Sequence, residues 1–442
     1  MAAGTQAQSR LWSLEECIDY ALEHNTMVKL QQLQTLKQQN NLAMAKLSIL
    51  PSLSGTGSYN MAFGRALDQT TYEFIENQTV VSGQIYAGSS ITLFSGLRNL
   101  NNIRKNQYEL VAAGYDLDRI KDNITLNVTL AYLQVLLSRE LVSVAENQVV
   151  MTRNQIKRIS DMVETGGLIR GSLLDIQAQA ATEEMHLTAM SNNLELAILA
   201  LTQLMDLETT EGFDIAIPAG NAEEREITDE NTSEIYSRAL LSRPEILSAE
   251  TRLRIAALSL RIAQGGQSPR LTLTNAFSTG YSDARRRLLN DDPVNPVYGY
   301  YSPVDQIADN INYGIGLSLS LPILNGWQVR TGIKNARLEV TEKDYLLEET
   351  RKQLYREIQQ AMADAAASRK SYEAGKKAVE ALKEAFRYTE ERFSVGLVTP
   401  VEYNTAKTNL LISESELLQA KYEYIFKISV LDFYQGIPIS LK

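Results

Sequence analysis

The side chains with the widest chemical repertoire are few and scattered in this chain. Its 442 residues include two histidines, His24 and His186, and one cysteine, Cys17. A catalytic triad or a metal site needs such groups within hydrogen-bonding or coordination reach of partners. Neither histidine has partners at a spacing that a helix or strand brings together. A single cysteine forms no intrachain disulfide and no thiolate cage, and burial as a small apolar group is its ordinary use. The paired carboxylates Glu183-Glu184 and Glu390-Glu391 lie in charge-bearing helical stretches, as solvated faces do. Gly55-Thr56-Gly57 lacks the third glycine and the following helix of a dinucleotide loop. No catalytic residue, cofactor or metal is expected. What remains is the chemistry of surfaces: which faces are apolar, which carry charge, and where glycine turns the chain.

Composition narrows the partners. Hydrophobic residues make up 44 %, enough for a packed core, and the net charge is −10. Phosphate neutralisation wants clustered Lys and Arg, so a nucleic-acid partner is not expected. No run of about 18 apolar residues occurs, so no membrane-spanning helix is expected. A membrane protein without such helices has to be a β-barrel. The opening run Met1–Ser9 has no charged or apolar leader region, yet its small residues resemble the tail of a trimmed secretory signal.

The chain repeats itself. Ile18, Ala21 and Leu22 correspond to Ile235, Ala239 and Leu240, and Pro51-Ser52-Leu53 corresponds to Pro269-Arg270-Leu271, an offset of about 218 residues. Phe94-Ser95-Gly96 corresponds to Leu324-Asn325-Gly326, and Ser138-Arg139 to Ser368-Arg369, with the offset grown to about 230. Gly167-Leu168-Ile169 corresponds to Gly396-Leu397-Val398 at nearly that spacing. Five correspondences in one order, with one insertion, define two units. Repeat 1 spans 13–208, with strands at about 52–63 and 80–94 and a helical hairpin at about 97–205. Repeat 2 spans 230–436, with strands at about 269–281 and 311–322 and a hairpin at about 327–430.

The four strand segments alternate with period two. Leu53, Tyr59 and Met61 alternate with Ser52, Ser58 and Asn60; Tyr313, Ile315, Leu317 and Leu319 alternate with Gly314, Gly316 and Ser318. Their small, uncharged second face suits a water-filled lumen with lipid on the other side. Each is long enough for a tilted crossing of about 9–11 residues. Small closed barrels need about eight strands, so four must be completed by further copies of the chain, because open edges are not tolerated in lipid. The connections at about 64–79 and 282–310 are expected as external loops. Tyr59, Phe63, Tyr72, Phe74, Tyr281 and Tyr313 stand near strand ends, where an aromatic girdle belongs.

The helices exceed what a globular core uses. From Arg98 to about Glu164 there is no proline, and apolar residues recur at helical spacing. At 1.5 Å per residue such a helix is on the order of 100 Å long. Gly166-Gly167 and Gly396 provide left-handed caps, and Pro400 suits a first helical turn. Two antiparallel hairpins with tight tips are predicted.

The ordered features Trp12-Ser-Leu-Glu-Glu16, Leu50-Pro51, Ser268-Pro269, the two strand-to-helix joints at Gly96 and Gly326, and above all the tip Arg392-Phe-Ser-Val-Gly-Leu-Val-Thr399 resemble the TolC family of outer-membrane efflux and secretion channels. The resemblance implies a mixed α and β membrane protein. In it, a homotrimer forms a twelve-stranded β-barrel, four strands per chain, continuous with a long α-helical coiled-coil tunnel in the periplasm. An equatorial belt would come from about 205–228 and 432–442. The tips, at Gly167, Leu168, Gly396, Leu397 and Val398, would touch a periplasmic adaptor that links to an inner-membrane transporter. Acidic residues would ring the entrance, with Glu402 on one such position and Asp175 as the first-repeat candidate. Thr405 stands where some members carry a second Asp, and Arg170-Gly171-Ser172 also departs from the pattern. The competing reading is a soluble coiled-coil interaction protein, which would lack an apolar band of bilayer height.

Overall fold

The computed structural model describes residues 11–67, 72, 74–218, 231–290 and 292–439. The leader-like run Met1–Ser9 and the belt residues 219–228 and 440–442 lie outside the described residues. In chain order the elements are β1 (Leu11–Trp12), α1 (Leu14–His24), α2 (Thr26–Leu47), β2 (Ser52–Leu67), β3 (Phe74–Phe94), α3 (Arg98–Glu164), α4 (Arg170–Leu204), β4 (Asp214–Ile215), α5 (Thr232–Ser242) and α6 (Pro244–Gly265). They continue with β5 (Arg270–Ser282), β6 (Arg286–Leu288), β7 (Tyr298–Tyr300), α7 (Pro303–Asp309), β8 (Asn312–Ser320), α8 (Gln328–Ser394) and α9 (Pro400–Gln435).

The repeat is visible in element boundaries. α3 and α8 are both 67 residues long. Their first residues, their last residues and the starts of α4 and α9 share one offset. Backbone conformation repeats as well: positive φ occurs at Gly96 and Gly326, at Leu97 and Trp327, at Gly166 and Gly396, and at Asp206 and Gly436. The shift in offset falls between β5 and β8, where the second repeat inserts β6, β7 and α7.

The chain divides into two compact units. The first is mostly helical and comprises the described residues within 11–36, 111–250 and 345–439. Its largest cluster buries Leu14, Cys17 and Val28 with Val128, Tyr132, Leu136 and Leu201. β1 pairs with β4 in parallel, and Tyr132, its ring in this core, places its hydroxyl within 3.1 Å of Trp12 O and 2.6 Å of Ala216 O. β4 falls within the expected belt range 205–228 and β1 outside it; the ribbon was not predicted, since two-residue strands carry no periodicity. A capping box at Ser13 and Glu16 starts α1.

One window of α3 is apolar enough to cross a membrane by length and composition. It corrects the expectation that no helix would qualify. α3 places Ile124, Val128, Tyr132, Leu133, Val135 and Leu136 in the helical core, so packing against protein accounts for its apolarity.

The second unit, residues 37–110 and 251–344, holds a four-stranded antiparallel sheet in the order β2-β3-β5-β8. β2 and β3 are longer than predicted. Pairing continues past a register shift between Gly64 and Ala66 as far as Leu67 and Phe74. Main-chain pairing needs no alternation of side chains, so the pattern ends before the ladder does. The expected loop at 282–310 is likewise folded, as the hairpin β6–β7 and the helix α7.

Candidate functional site

Strand register decides what the sheet offers. Leu53, Gly57, Tyr59 and Met61 of β2 stand opposite Ser89, Ile85, Gly83 and Val81 of β3. Ile91, Ala87 and Ile85 of β3 face Leu273, Phe277 and Thr279 of β5, and Leu271, Leu273 and Phe277 face Leu319, Leu317 and Tyr313 of β8. All four strands therefore send their apolar series to one side. The other side collects Ser54, Ser58 and Asn60, then Ser82, Gln84 and Ser90, then Thr272, Thr274 and Ser278, and finally Asn312, Ser318 and Ser320. A one-residue slip between any two strands would mix the faces. On the apolar side Tyr59, Gly83 and Tyr281 share a row, and Tyr281 lies over Gly83, where an added Cβ would meet its ring at 2.5 Å. Tyr59, Phe63, Tyr72, Phe74 and Tyr313 are exposed. Both outer strands, β2 and β8, have one side without a partner in the sheet.

The hairpin tips are built alike at the end of their first helices. Gly166 and Gly396 both take left-handed φ, +79° and +77°. Gly167 N donates to Met162 O at 2.8 Å, and Leu397 N donates to Arg392 O at 2.9 Å, the closing bond of a Schellman turn. This corrects the predicted correspondence by one residue. The capping glycine of the first tip is Gly166, not Gly167, so Leu168 matches Val398 and Ile169 matches Thr399.

That shift also corrects which tip residues are exposed. Leu168 and Val398 are half-buried against a cluster of Ile159, Ile176, Phe393 and Tyr403 that both tips share. The Phe393 and Tyr403 rings lie 4.7 Å apart, and burial pushes the Tyr403 hydroxyl up to about 12. Ile169 (76 % exposed) and Leu397 (68 %), together with Val395 and Val401, present the apolar surface at the turns. Leu397 was predicted; Ile169, Val395 and Val401 were not, because sequence alone could not tell which side chain of each turn points inward.

The acidic candidates differ in kind. Glu402 is the third residue of α9, and its carboxylate accepts from Thr399 N at 2.9 Å while Thr399 Oγ1 accepts from Glu402 N at 3.2 Å. It is a capping-box residue whose charge sits at a helix N-terminus. Asp175 is exposed and, under the corrected correspondence, matches Thr405 rather than Glu402. The two do not occupy equivalent positions in their hairpins.

A buried polar cluster went unnoticed in the sequence. Lys407 of α9 and Glu183 of α4 are 6 % and 7 % exposed, with Nζ 3.6 Å from Oε1. Gln148 Nε2 and Gln179 Nε2 donate to Glu183 Oε1 at 2.9 and 3.0 Å, and Thr152 bridges Glu183 and Lys407. Burial lowers the Lys407 pKa from 10.5, against the opposing pull of Glu183. Glu183-Glu184 had read as a solvated pair; Glu184 is solvated and binds Arg153, whereas Glu183 is not. Cys17 is fully buried, and burial pushes its thiol up to about 12. His24 stacks on Tyr20 at 3.9 Å. Among the described residues no group of His, Cys, Asp and Glu could hold a metal ion.

The chain is similar to several outer-membrane proteins. Outer membrane protein TolC of Escherichia coli (strain K12) is 24 % identical over 366 residues, 77 % of this chain and 72 % of the relative. Outer membrane efflux protein BepC of Brucella suis biovar 1 (strain 1330) is 21 % identical over 388 residues, 88 % of this chain and 77 % of the relative. Among solved structures, CusC superposes with TM-score 0.80 at 16 % identity, covering 96 % of this chain and 92 % of the other. The Campylobacter jejuni CmeC outer membrane channel gives 0.79 at 18 % identity, over 96 % and 85 %. The outer membrane efflux protein profile matches residues 17–206 and 235–427. The chain therefore belongs to the outer membrane efflux protein family, and is a channel of the outer membrane rather than an enzyme.

Proposed function

We propose that three copies of the chain close one twelve-stranded barrel in outer-membrane lipid, through which exported small molecules or proteins pass from the periplasm to the exterior. The carrying observation is the sheet with one apolar face, one polar face and two unpartnered edges. Up-and-down order lets β8 of one copy pair with β2 of the next while all neighbours stay antiparallel. Closure satisfies backbone groups that lipid cannot and makes the polar face a wet lumen. A groove of about 440 Å³ beside α4 and α9, lined by Leu141, Met190, Leu411 and Ile412, offers apolar surface for a neighbouring copy. The mechanism is passive conduction, with energy supplied by an inner-membrane transporter.

The tips around Gly167, Leu168, Gly396, Leu397 and Val398 dock a periplasmic adaptor, with Ile169 and Leu397 as the exposed apolar contacts. Glu402 and Asp175, multiplied by symmetry, favour cations at the entrance. Residues 205–218 and 432–439 form the described part of the belt. The experiment is purification in detergent, a heat-resistance test for the trimer and planar-bilayer recording. A water-soluble monomer without channels overturns the reading. Leu397→Asp should leave conductance intact and abolish export in cells; normal export removes the docking role.

A further inference from the structure

We infer the row-by-row register in which β8 of one copy pairs with β2 of the next, with Ser318 opposite Ser58. The inference rests on the closed barrel proposed above, and the internal repeat supplies the register. In the repeat β2 corresponds to β5 and β3 to β8, as Pro51 matches Pro269 and Gly96 matches Gly326. The sheet obeys this correspondence to the residue. Ser52 with Ser90, a pair of β2 and β3, falls on Arg270 with Ser320; Asn60 with Ser82 falls on Ser278 with Asn312. Both results are pairs of β5 and β8. The remaining pairing, β3 with β5, joins the last strand of one repeat unit to the first strand of the next. Its counterpart is β8 with the β2 that follows, and that β2 belongs to a second copy.

Carried across, Gly83 with Tyr281 becomes Tyr313 with Phe63, and Ile85 with Thr279 becomes Ile315 with Met61. Ala87 with Phe277 becomes Leu317 with Tyr59, and Gly88 with Ala276 becomes Ser318 with Ser58. These apolar residues of β8 and β2 are exposed in one copy, and a register one residue away would set them against the polar face. The ladder also ends cleanly. Ser82 with Ser282 becomes Asn312 with Gly64. β8 starts at Asn312, and β2 shifts register just past Gly64, whose φ is +112°. β8 extends no further because side chains satisfy β5 beyond that row. Buried Gln306 donates from Nε2 to Ser282 O at 2.9 Å and to Tyr301 O at 2.8 Å, and accepts from Ser282 N at 2.9 Å. Asn310 Nδ2 donates to Gly280 O at 2.7 Å.

The strand-to-helix joints point to the same neighbour. In repeat 1 the joint is covered from within the chain: a Cβ on Gly96 would meet Ser268 Cβ at 2.5 Å and Gly265 O at 2.6 Å. In repeat 2 a Cβ on Gly326, also at left-handed φ, would meet nothing within 4 Å. Ile323 and Leu324 just before it are 93 % and 89 % exposed. The residues that correspond to Gly265 and Ser268 are Leu47 and Leu50, and both are exposed. Apolar residues thus stand uncovered on both sides of the seam at the place where the repeats touch inside one chain. With leucine in place of Gly265, the copies meet there through side chains and not by close backbone approach.

The test is disulfide trapping. Within one chain β2 and β8 are three strand spacings apart, about 14 Å, and a disulfide spans at most roughly 7 Å between Cα atoms. A bond between them therefore joins two copies. Asp283 N donates to Val81 O at 2.9 Å, so the next row, Ser82 with Ser282, is a close, non-hydrogen-bonded one, and every second row after it is too. Ser318 with Ser58 and Ser320 with Thr56 inherit that closeness, about 4.5 Å between Cα atoms. Ser58→Cys with Ser318→Cys, and Thr56→Cys with Ser320→Cys, are oxidised in detergent with copper phenanthroline. Both should run as covalent dimers and trimers on denaturing gels and return to monomer on reduction. Thr56→Cys with Ser318→Cys, and Ser58→Cys with Ser320→Cys, require registers two residues away and should stay monomeric. Cys17 is fully buried, and the single variants control for it. Shifted pairs that cross-link as fully as the predicted ones, or no cross-link from any pair in a heat-resistant trimer, overturn the inference. A water-soluble monomer from the intact chain overturns the barrel reading instead. If one predicted pair does not assemble, the other decides alone.

Discussion

The two hairpin tips share a fold and differ in how they are secured. Both first helices end on a left-handed glycine with the same closing bond. The second helices then begin differently. α9 starts from Thr399 with a complete capping box, Pro400 in its first turn and Glu402 in the box. α4 starts from Ile169, which has no side-chain oxygen to offer and makes no side-chain cap, and carries Gly171 in its first turn. At the α1 and α5 starts the asymmetry reverses, with a capping box at Ser13 and no side-chain cap at Asn231. Duplication kept the turn geometry, which sterics dictate, and let the caps diverge, since each contributes about 1 kcal/mol. The second tip therefore has side-chain capping at the start of its second helix, while the first has none.

The comparison treats the tips as one packed body, and the largest expected effect tests that. Lys407→Met leaves Glu183 buried without its cation and should cost about 3–5 kcal/mol, read as faster hydrogen exchange along α4 and α9. Adding Glu183→Met should recover much of the loss; no recovery would mean that Lys407 acts by packing alone. The sign of the pH dependence follows from burial. Because the folded pKa of Lys407 lies below 10.5, the unfolded chain binds more protons between the two values, and stability rises with pH across that window. Lys407→Met should lack that slope.

Next come the glycines. Gly166→Ala and Gly396→Ala should each cost about 1–2 kcal/mol, because a Cβ disfavours left-handed φ. Gly167→Ala should cost much less, its added Cβ meeting nothing closer than 3.4 Å. Equal losses at Gly166 and Gly167, measured by exchange of the tip amides, would restore the uncorrected correspondence. Thr399→Ala should cost about 1 kcal/mol, and Ile169→Ser should gain a similar amount at the first tip, bringing the two closer in protection. The smallest structural effect belongs to Glu402→Gln, which keeps an acceptor for Thr399 N and loses about 0.3–1 kcal/mol of charge–dipole stabilisation. In planar bilayers the same variant should weaken cation preference; unchanged selectivity would leave Glu402 as a cap and nothing more.

Much of this protein was legible from residue order because its strongest signals are periodic. Alternation marked all four membrane strands and which face of each is apolar, since side chains along a strand have a period of two whatever else surrounds them. Helical spacing without proline marked α3 and α8 nearly to their ends, and glycine with the residues around it marked the tips. Tertiary structure decided what periodicity does not encode. It set the one-residue alignment of the tips, because hydrogen bonds and not residue identity define which glycine turns. It buried Glu183 with Lys407, two residues far apart in sequence whose meeting depends on how α4 and α9 pack. It folded 282–310 into a hairpin and a pinned helix, because one buried amide, Gln306, found both its donors and acceptors at Ser282 and Tyr301. Local pattern specifies elements through short-range sterics and burial; long-range contacts choose which side chains those elements bring together.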